Sequence, residues 1–206
     1  MKNIHGVWLP DHEKHLVDEF ATGPGWTYQK NKLDAAVKYC TTRGVAVDIG
    51  GHCGLWSRHL TQLFDRVVAF EPCPLHRECY IMNVDGNFEL LPYALGDKLM
   101  LAGLHTTEGS SGDSYLEPGS SIEVRMLDSF NLVPNFIKID TEGYELFVIQ
   151  GGERTIKEHK PVMVVEQKKG KGSHFGLKDD DAISLLKAWG YKVKVILSGD
   201  YIMTVG

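Results

Sequence analysis

The stretch Val45-Ala46-Val47-Asp48-Ile49-Gly50-Gly51-His52-Cys53-Gly54 constrains this chain more than any other. Strand-forming residues run straight into a glycine-rich turn. A helix-compatible run, Leu55 to Phe64, follows, and then Arg66-Val67-Val68-Ala69-Phe70 closed by Glu71-Pro72. Strand, glycine turn, helix, strand and terminal acid make a βαβ unit. In open α/β sheets, ligands sit beyond the carboxyl ends of the strands. Glycines there admit a ligand that a Cβ would push away. An acid ending the second strand lies beside the same crevice, where its two oxygens can accept from both hydroxyls of a ribose. The unit therefore reads as a nucleoside holder.

The glycine spacing narrows the nucleoside. No frame across Gly50, Gly51 and Gly54 gives the G-x-G-x-x-G that seats a pyrophosphate on a helix N-terminus. Asp48 stands two residues before the first glycine, where a pyrophosphate would be repelled. A ligand with a cationic amino-acid end and no phosphate fits better, and S-adenosylmethionine is one. Asp48 follows an apolar strand and is expected to be largely buried, so it needs partners. Backbone amides of the glycine turn, or the ammonium of a methionine moiety, could serve.

Val47 to Gly54 resembles the first motif of class I S-adenosylmethionine-dependent methyltransferases, and Phe70-Glu71-Pro72 resembles the second. Ala94-Leu95-Gly96-Asp97, Ile137 to Glu145, Gln150-Gly151-Gly152 and Val165-Glu166 follow in order. The series, over residues 44 to 168, is similar to the FkbM family of methyltransferases. That resemblance implies a Rossmann-like α/β fold: a seven-stranded, mostly parallel sheet with helices on both faces and an antiparallel last strand. The methyltransferase domain would span 44–206, behind an N-terminal helical cap at 1–43 and with an inserted hairpin at 99–130. The implied cofactor is S-adenosylmethionine, with S-adenosylhomocysteine as product. Its implied contacts are Asp48, Gly50, Gly51, His52, Gly54, Glu71, Pro72 and Asp140, with Ala94 and Leu95 beside the adenine. Tyr28 could touch the cofactor or clasp the cap onto the core. His52 could contact the cofactor, act near the acceptor, or be a turn residue and no more.

Asn135 to Asp140 reads as the fourth strand, and alternation puts Lys138 and Asp140 on one side. Asp140, Thr141 and Glu142 crowd carboxylates at the place where the methyl group must lie. Paired acids can have separated pKa values. One could take the acceptor's proton while another faces the sulfonium, which makes Asp140, Glu142 and Lys138 the catalytic candidates. Lys138 tempers their charge or is a solvated strand-start residue. The acids could instead satisfy a helix N-terminus. No metal is assigned, although Asp140, Glu142 and Glu166 could supply ligands in a metal-assisted variant. Methyltransferases of exocyclic base amines carry Asp/Asn-Pro-Pro-Tyr/Phe at this place. Asp140-Thr141-Glu142-Gly143 is different and favours an oxygen nucleophile.

The remaining segments set expectations of their own. Gly23-Pro24-Gly25 breaks the N-terminal segment after a helix-compatible run, Asp11 to Phe20. Residues 99–130 read as two extended runs joined by a long, mobile, polar connection. Lys168, Lys169, Lys171 and His174 form a loop that either binds an anionic acceptor or is simply solvated. With 206 residues and 43% hydrophobic content, one α/β domain is expected. The net charge of -5 offers no footprint for non-specific nucleic-acid binding. No run approaches the ~18 apolar residues of a membrane span. Met1-Lys2-Asn3-Ile4-His5 lacks a signal-peptide core. Cys40, Cys53, Cys73 and Cys79 form no C-x-x-C, so reduced thiols and a cytoplasmic location are expected. The expected reaction is in-line methyl transfer to an oxygen of a small-molecule or sugar-like acceptor. A protein or nucleic-acid acceptor, and a non-catalytic S-adenosylmethionine-binding module, stay open; the oligomeric state is not legible.

Overall fold

The computed structural model describes residues 1–21, 23 and 25–206, with the backbone alone at position 26. Pro24, expected to break the N-terminal segment, lies outside the described residues. The chain opens on a feature that the expected helical cap lacks. Strands β1 (Lys2–Ile4) and β2 (Val7–Leu9) form an antiparallel hairpin. Its turn needs positive φ at both His5 (50°) and Gly6 (86°). Three residues per strand are too few for alternation to flag. Short helices α1 (His15–Phe20) and α2 (Lys30–Val37) complete the segment.

The sheet begins with β3 (Val45–Ile49), α3 (Ser57–Leu63), β4 (Arg66–Phe70), α4 (Pro74–Asn83) and β5 (Phe88–Leu91). The short β6 (Ala94–Leu95) leads to β7 (Met100–Thr107) and β8 (Ser110–Arg125). Then follow β9 (Phe136–Ile139), α5 (Glu145–Gly151), α6 (Glu153–His159), β10 (Val162–Glu166), α7 (Asp181–Ala188), β11 (Tyr191–Leu197) and β12 (Asp200–Val205). The strand order is β11-β12-β10-β9-β3-β4-β5, and only the β12 pairings are antiparallel. This is the expected seven-stranded, mostly parallel sheet.

The central strands are buried on both faces, which explains why they read as near-continuous apolar runs. Val47, Ile49, Ile137 and Ile139 face one way, against Val148 and Ile149 of α5 and Leu186 of α7. Ala46 and Phe136 face the other way, against Leu33 and Ala36 of α2 and Leu60 of α3. Asp48, Lys138 and Asp140 belong by alternation to this second face. The chain moves outward from β3 to β5, then returns to β9 on the other side of β3. The strand order therefore reverses between β3 and β9, where a ligand crevice is expected. Gly50 ends β3 at that point with φ of +78°, and a Cβ there would lie 1.9 Å from the Asp140 carbonyl oxygen.

The inserted hairpin is more regular than expected. A turn at Glu108-Gly109 joins β7 to β8, and the polar stretch from Ser110 onward is strand. The register jumps from Gly103↔Glu117 to Ala102↔Ile122, so Pro118-Gly119-Ser120-Ser121 is absorbed as a bulge. A Cβ on Gly119 would meet Gly103 Cα at 2.6 Å, so the glycine pair lets the backbones approach. With β6, the hairpin makes a second, three-stranded sheet.

Lys32 of α2 and Asp200 at the start of β12 form a buried ion pair across this fold. Breaking one partner strands a buried charge, at about 3–5 kcal/mol. Urea denaturation should show Lys32→Met losing stability on that scale, with Lys32→Met/Asp200→Leu recovering most of it. An unchanged single variant would contradict the burial.

Candidate active site

The carboxyl ends of β3, β4, β9 and β10 open on a cavity of about 240 Å³. Gly50, Gly51 and His52 form one wall with Glu71 and Pro72, and Ala94 and Leu95 extend it. Lys138, Asp140 and Glu142 form the opposite wall. Tyr28 of the N-terminal segment, Ser110 to Leu116 of the hairpin and Lys168 close the space. Two of the residues expected at the cofactor stand behind the wall. Gly54 has φ of +83°, and a Cβ there would meet Val84 of the α4 end at 2.4 Å, so it serves the packing of the turn. Asp48 is fully buried. Its partners are the Ser57 hydroxyl, which donates at 2.7 Å, and the Lys138 ammonium at 3.7 Å, rather than turn amides.

Glu71 is buried at the end of β4 and heavily engaged. Its Oε1 accepts from the Cys73 amide at 2.8 Å and from His76 Nδ1 at 3.2 Å. Its Oε2 accepts from the His52 amide at 2.8 Å. A carboxylate has about four acceptor positions. Among the described residues three are filled, leaving one, on Oε2. The expectation that both oxygens are free for a ribose is thereby reduced to a single hydrogen bond. Burial alone would raise Glu71, but the His76 hydrogen bond and charge hold it below the usual carboxylate range. Burial pulls His76 down, yet Cys73 and Glu71 push it up to about 10, so it is an imidazolium. Sequence reasoning missed His76. Its signal was there, since Pro74 starts α4 and position 76 turns back toward the strand end.

The opposite wall alternates charge. Lys138 lies 3.2 Å from Asp140, Lys168 lies 2.8 Å from Glu166, and Lys171 lies 2.7 Å from Glu142 and 2.6 Å from Asp113. Carboxylate oxygens of Asp140, Glu142 and Glu166 converge within 4.8 Å of one another. The three acids named for a metal-assisted variant thus come together, each beside an ammonium. Lys168 and Lys171 are engaged in these pairs, and His174 stacks on Tyr115 at 4.5 Å. The loop expected either to bind an anionic acceptor or to be simply solvated thus has Lys168 and Lys171 drawn toward the cavity acids, while Lys169 is exposed.

Proximity separates the acids. Burial opposes ionisation of Asp140, but Lys138 holds it well below the usual range. Burial and the Asp140 charge push Glu166 up to about 9 and Glu142 up to about 7. Burial and the same charge push the Tyr28 phenol up to about 12. Glu142 also sits at φ of +54°, a left-handed position costly for a side chain. The alternative helix-terminus role falls to a different acid. Glu145 Oε1 accepts from the Thr141 amide at 2.9 Å and the Gly143 amide at 3.0 Å, which leaves Asp140 and Glu142 to the cavity.

The model of the methyltransferase FkbM domain matches residues 48–193. The chain belongs to the FkbM methyltransferase family. Among solved structures, the FkbM methyltransferase of Methylobacillus flagellatus KT is 21% identical, with a TM-score of 0.52 over 79% of this chain. The chain spans 43% of that protein's length. Precorrin-6y C5,15-methyltransferase of Geobacter metallireducens GS-15 is 16% identical, with a TM-score of 0.52 over 86% of this chain and 88% of its own. A Streptococcus mutans protein crystallised with SAH is 10% identical, with a TM-score of 0.52 over 85% and 94%. At these identities the likeness is one of fold. No curated protein matches. S-adenosylmethionine is the cofactor expected of a member of this family. Its residues fit that cofactor: a glycine cradle bare of side chains, one open acceptor on Glu71, and ionised Asp140 for a cationic end.

Glu142 also shapes stability. The folded protein keeps the Glu142 proton up to about pH 7, whereas the unfolded chain releases it near the ordinary glutamate value of 4.5. Stability therefore falls as pH rises through that window. Glu142→Gln should make the decline between pH 5 and 7 shallower by about one proton, ~1.4 kcal/mol per pH unit. Urea melts across that range check it, and an unchanged slope would show Glu142 ionised throughout.

Proposed function

We propose that this FkbM methyltransferase transfers a methyl group to an oxygen of a small-molecule, sugar-like acceptor. The observation that carries the proposal is the pairing of ionised Asp140 with a buried Glu142 that titrates near neutrality on the same wall. A base of that strength suits a hydroxyl nucleophile. Bound S-adenosylmethionine supplies an electrophilic methyl on a sulfonium. Glu71 would accept one ribose hydroxyl, Ala94 and Leu95 would give the adenine an apolar wall, and Asp140 would face the cationic end. Glu142 would accept the acceptor's hydroxyl proton during methyl transfer. Orientation of the two reactants can supply ~7–11 kcal/mol, and the base about 10²–10⁴-fold.

The cover formed by the hairpin supports a small acceptor over a macromolecular one. No helix among the described residues is long and apolar enough to cross a membrane. All four cysteines are free, which supports a reducing, cytoplasmic location.

Calorimetric titration with S-adenosylhomocysteine should show Glu71→Ala binding ten-fold or more weakly, on the scale of a hydrogen bond to a charged group. Glu142→Gln should keep that affinity and lose about 10²-fold in kcat against a panel of sugars and other hydroxylated acceptors. Equal affinity in Glu71→Ala would remove the ribose assignment, and full turnover in Glu142→Gln would remove the base.

A further inference from the structure

The polar group around Ser111 joins three distant parts of the chain. Glu13 precedes α1, Ser111 lies near the start of β8, and His52 lies on the glycine turn. Glu13 and Ser111 are fully buried, and His52 lines the cavity. The Glu13 carboxylate accepts from the Leu16 amide at 2.9 Å, from the Ser111 amide at 2.6 Å and from the Ser111 hydroxyl. His52 Nε2 lies 2.7 Å from that same hydroxyl. A hydroxyl has one proton to give, and Ser111 gives it to Glu13. His52 must therefore donate through Nε2–H, which fixes the tautomer of its neutral ring.

His52 is also strained. It holds φ of +48°, a left-handed position uncommon for any residue with a side chain. Such an outlier persists when its surroundings over-determine it. Its backbone amide, aimed by that conformation, donates to Glu71 Oε2 at 2.8 Å. Its side chain is held by Ser111. The hairpin is seated in turn by Gly109, whose carbonyl accepts from the Lys14 and His15 amides at 2.9 and 3.2 Å.

We infer that Glu13 and Ser111 are positioning residues for the cofactor site, holding His52 left-handed so that its amide fixes the Glu71 carboxylate. The N-terminal segment and the hairpin are thereby coupled to nucleoside binding, although neither supplies the acid itself. This rests on the cofactor assignment above.

A double-mutant cycle on S-adenosylhomocysteine affinity tests it. Ser111→Ala should lower the urea midpoint, since a buried hydrogen bond to a charged group is lost, and, still folded at the assay temperature, should bind about ten-fold more weakly. Glu13→Gln, which keeps the packing, should move in the same direction. His52→Gly takes the left-handed position at no steric cost, so adding Ser111→Ala to it should change affinity less than two-fold. Wild-type affinity in both Ser111→Ala and Glu13→Gln would overturn the inference. So would the full ten-fold loss recurring in the His52→Gly background, since that marks a merely additive structural effect. Wild-type protein that does not bind the ligand would instead remove the cofactor assignment, and this inference with it.

Discussion

A single buried ammonium organises this molecule. Lys138 stands opposite Asp48 in the β3–β9 register, and Asp140 follows two residues along β9 on the same face. Strand pairing thus places one cation between two carboxylates at the centre of the sheet. Burying such charges is expensive unless each is compensated. Lys138 compensates Asp140 and offsets part of the burial that raises Asp48, which also accepts from the Ser57 hydroxyl; the Trp56 ring lies 5.6 Å from the Lys138 nitrogen. Without Lys138, Asp48 and Asp140 would be like charges in a dry interior and one would take a proton. With it, Asp140 stays ionised, and that charge raises Glu142 and Glu166. The acid–base character of the cavity follows from a register.

This dependence explains why much of the fold was legible. Parallel strands buried on both faces must be apolar, so a charge inside one, such as Asp48 or Lys138, marks a place where something compensates it. Gly50 is legible for a different reason, since the switch point brings β3 so close to Asp140 that no side chain fits. The glycine turn, the terminal acid of β4 and the acid turn after β9 could therefore be found from residues alone.

What stayed hidden was set by tertiary partners. Nothing in the sequence near Asp48 says that Ser57 and Lys138 will be its partners. Lys171 of the loop after β10 read as a free cation because its carboxylates, Asp113 and Glu142, lie far away in sequence. The polar run from Ser110 to Ser120 read as a mobile connection because its pairing with β7 depends on a bulge and on the Gly103–Gly119 contact. Glu13, His52 and Ser111 are separately unremarkable, and their meeting exists only once the hairpin folds back over the turn.

The central claim is that the wall of Gly50, His52 and Glu71 receives the nucleoside while Asp140 and Glu142 stand at the reacting end. A crystal structure with S-adenosylhomocysteine tests it most directly. The expected result is a ribose hydroxyl on Glu71 Oε2, the adenine against Ala94 and Leu95, and the homocysteine portion beside Asp140. A ligand bound without contact to Glu71, or seated away from the β3–β9 switch point, would contradict it.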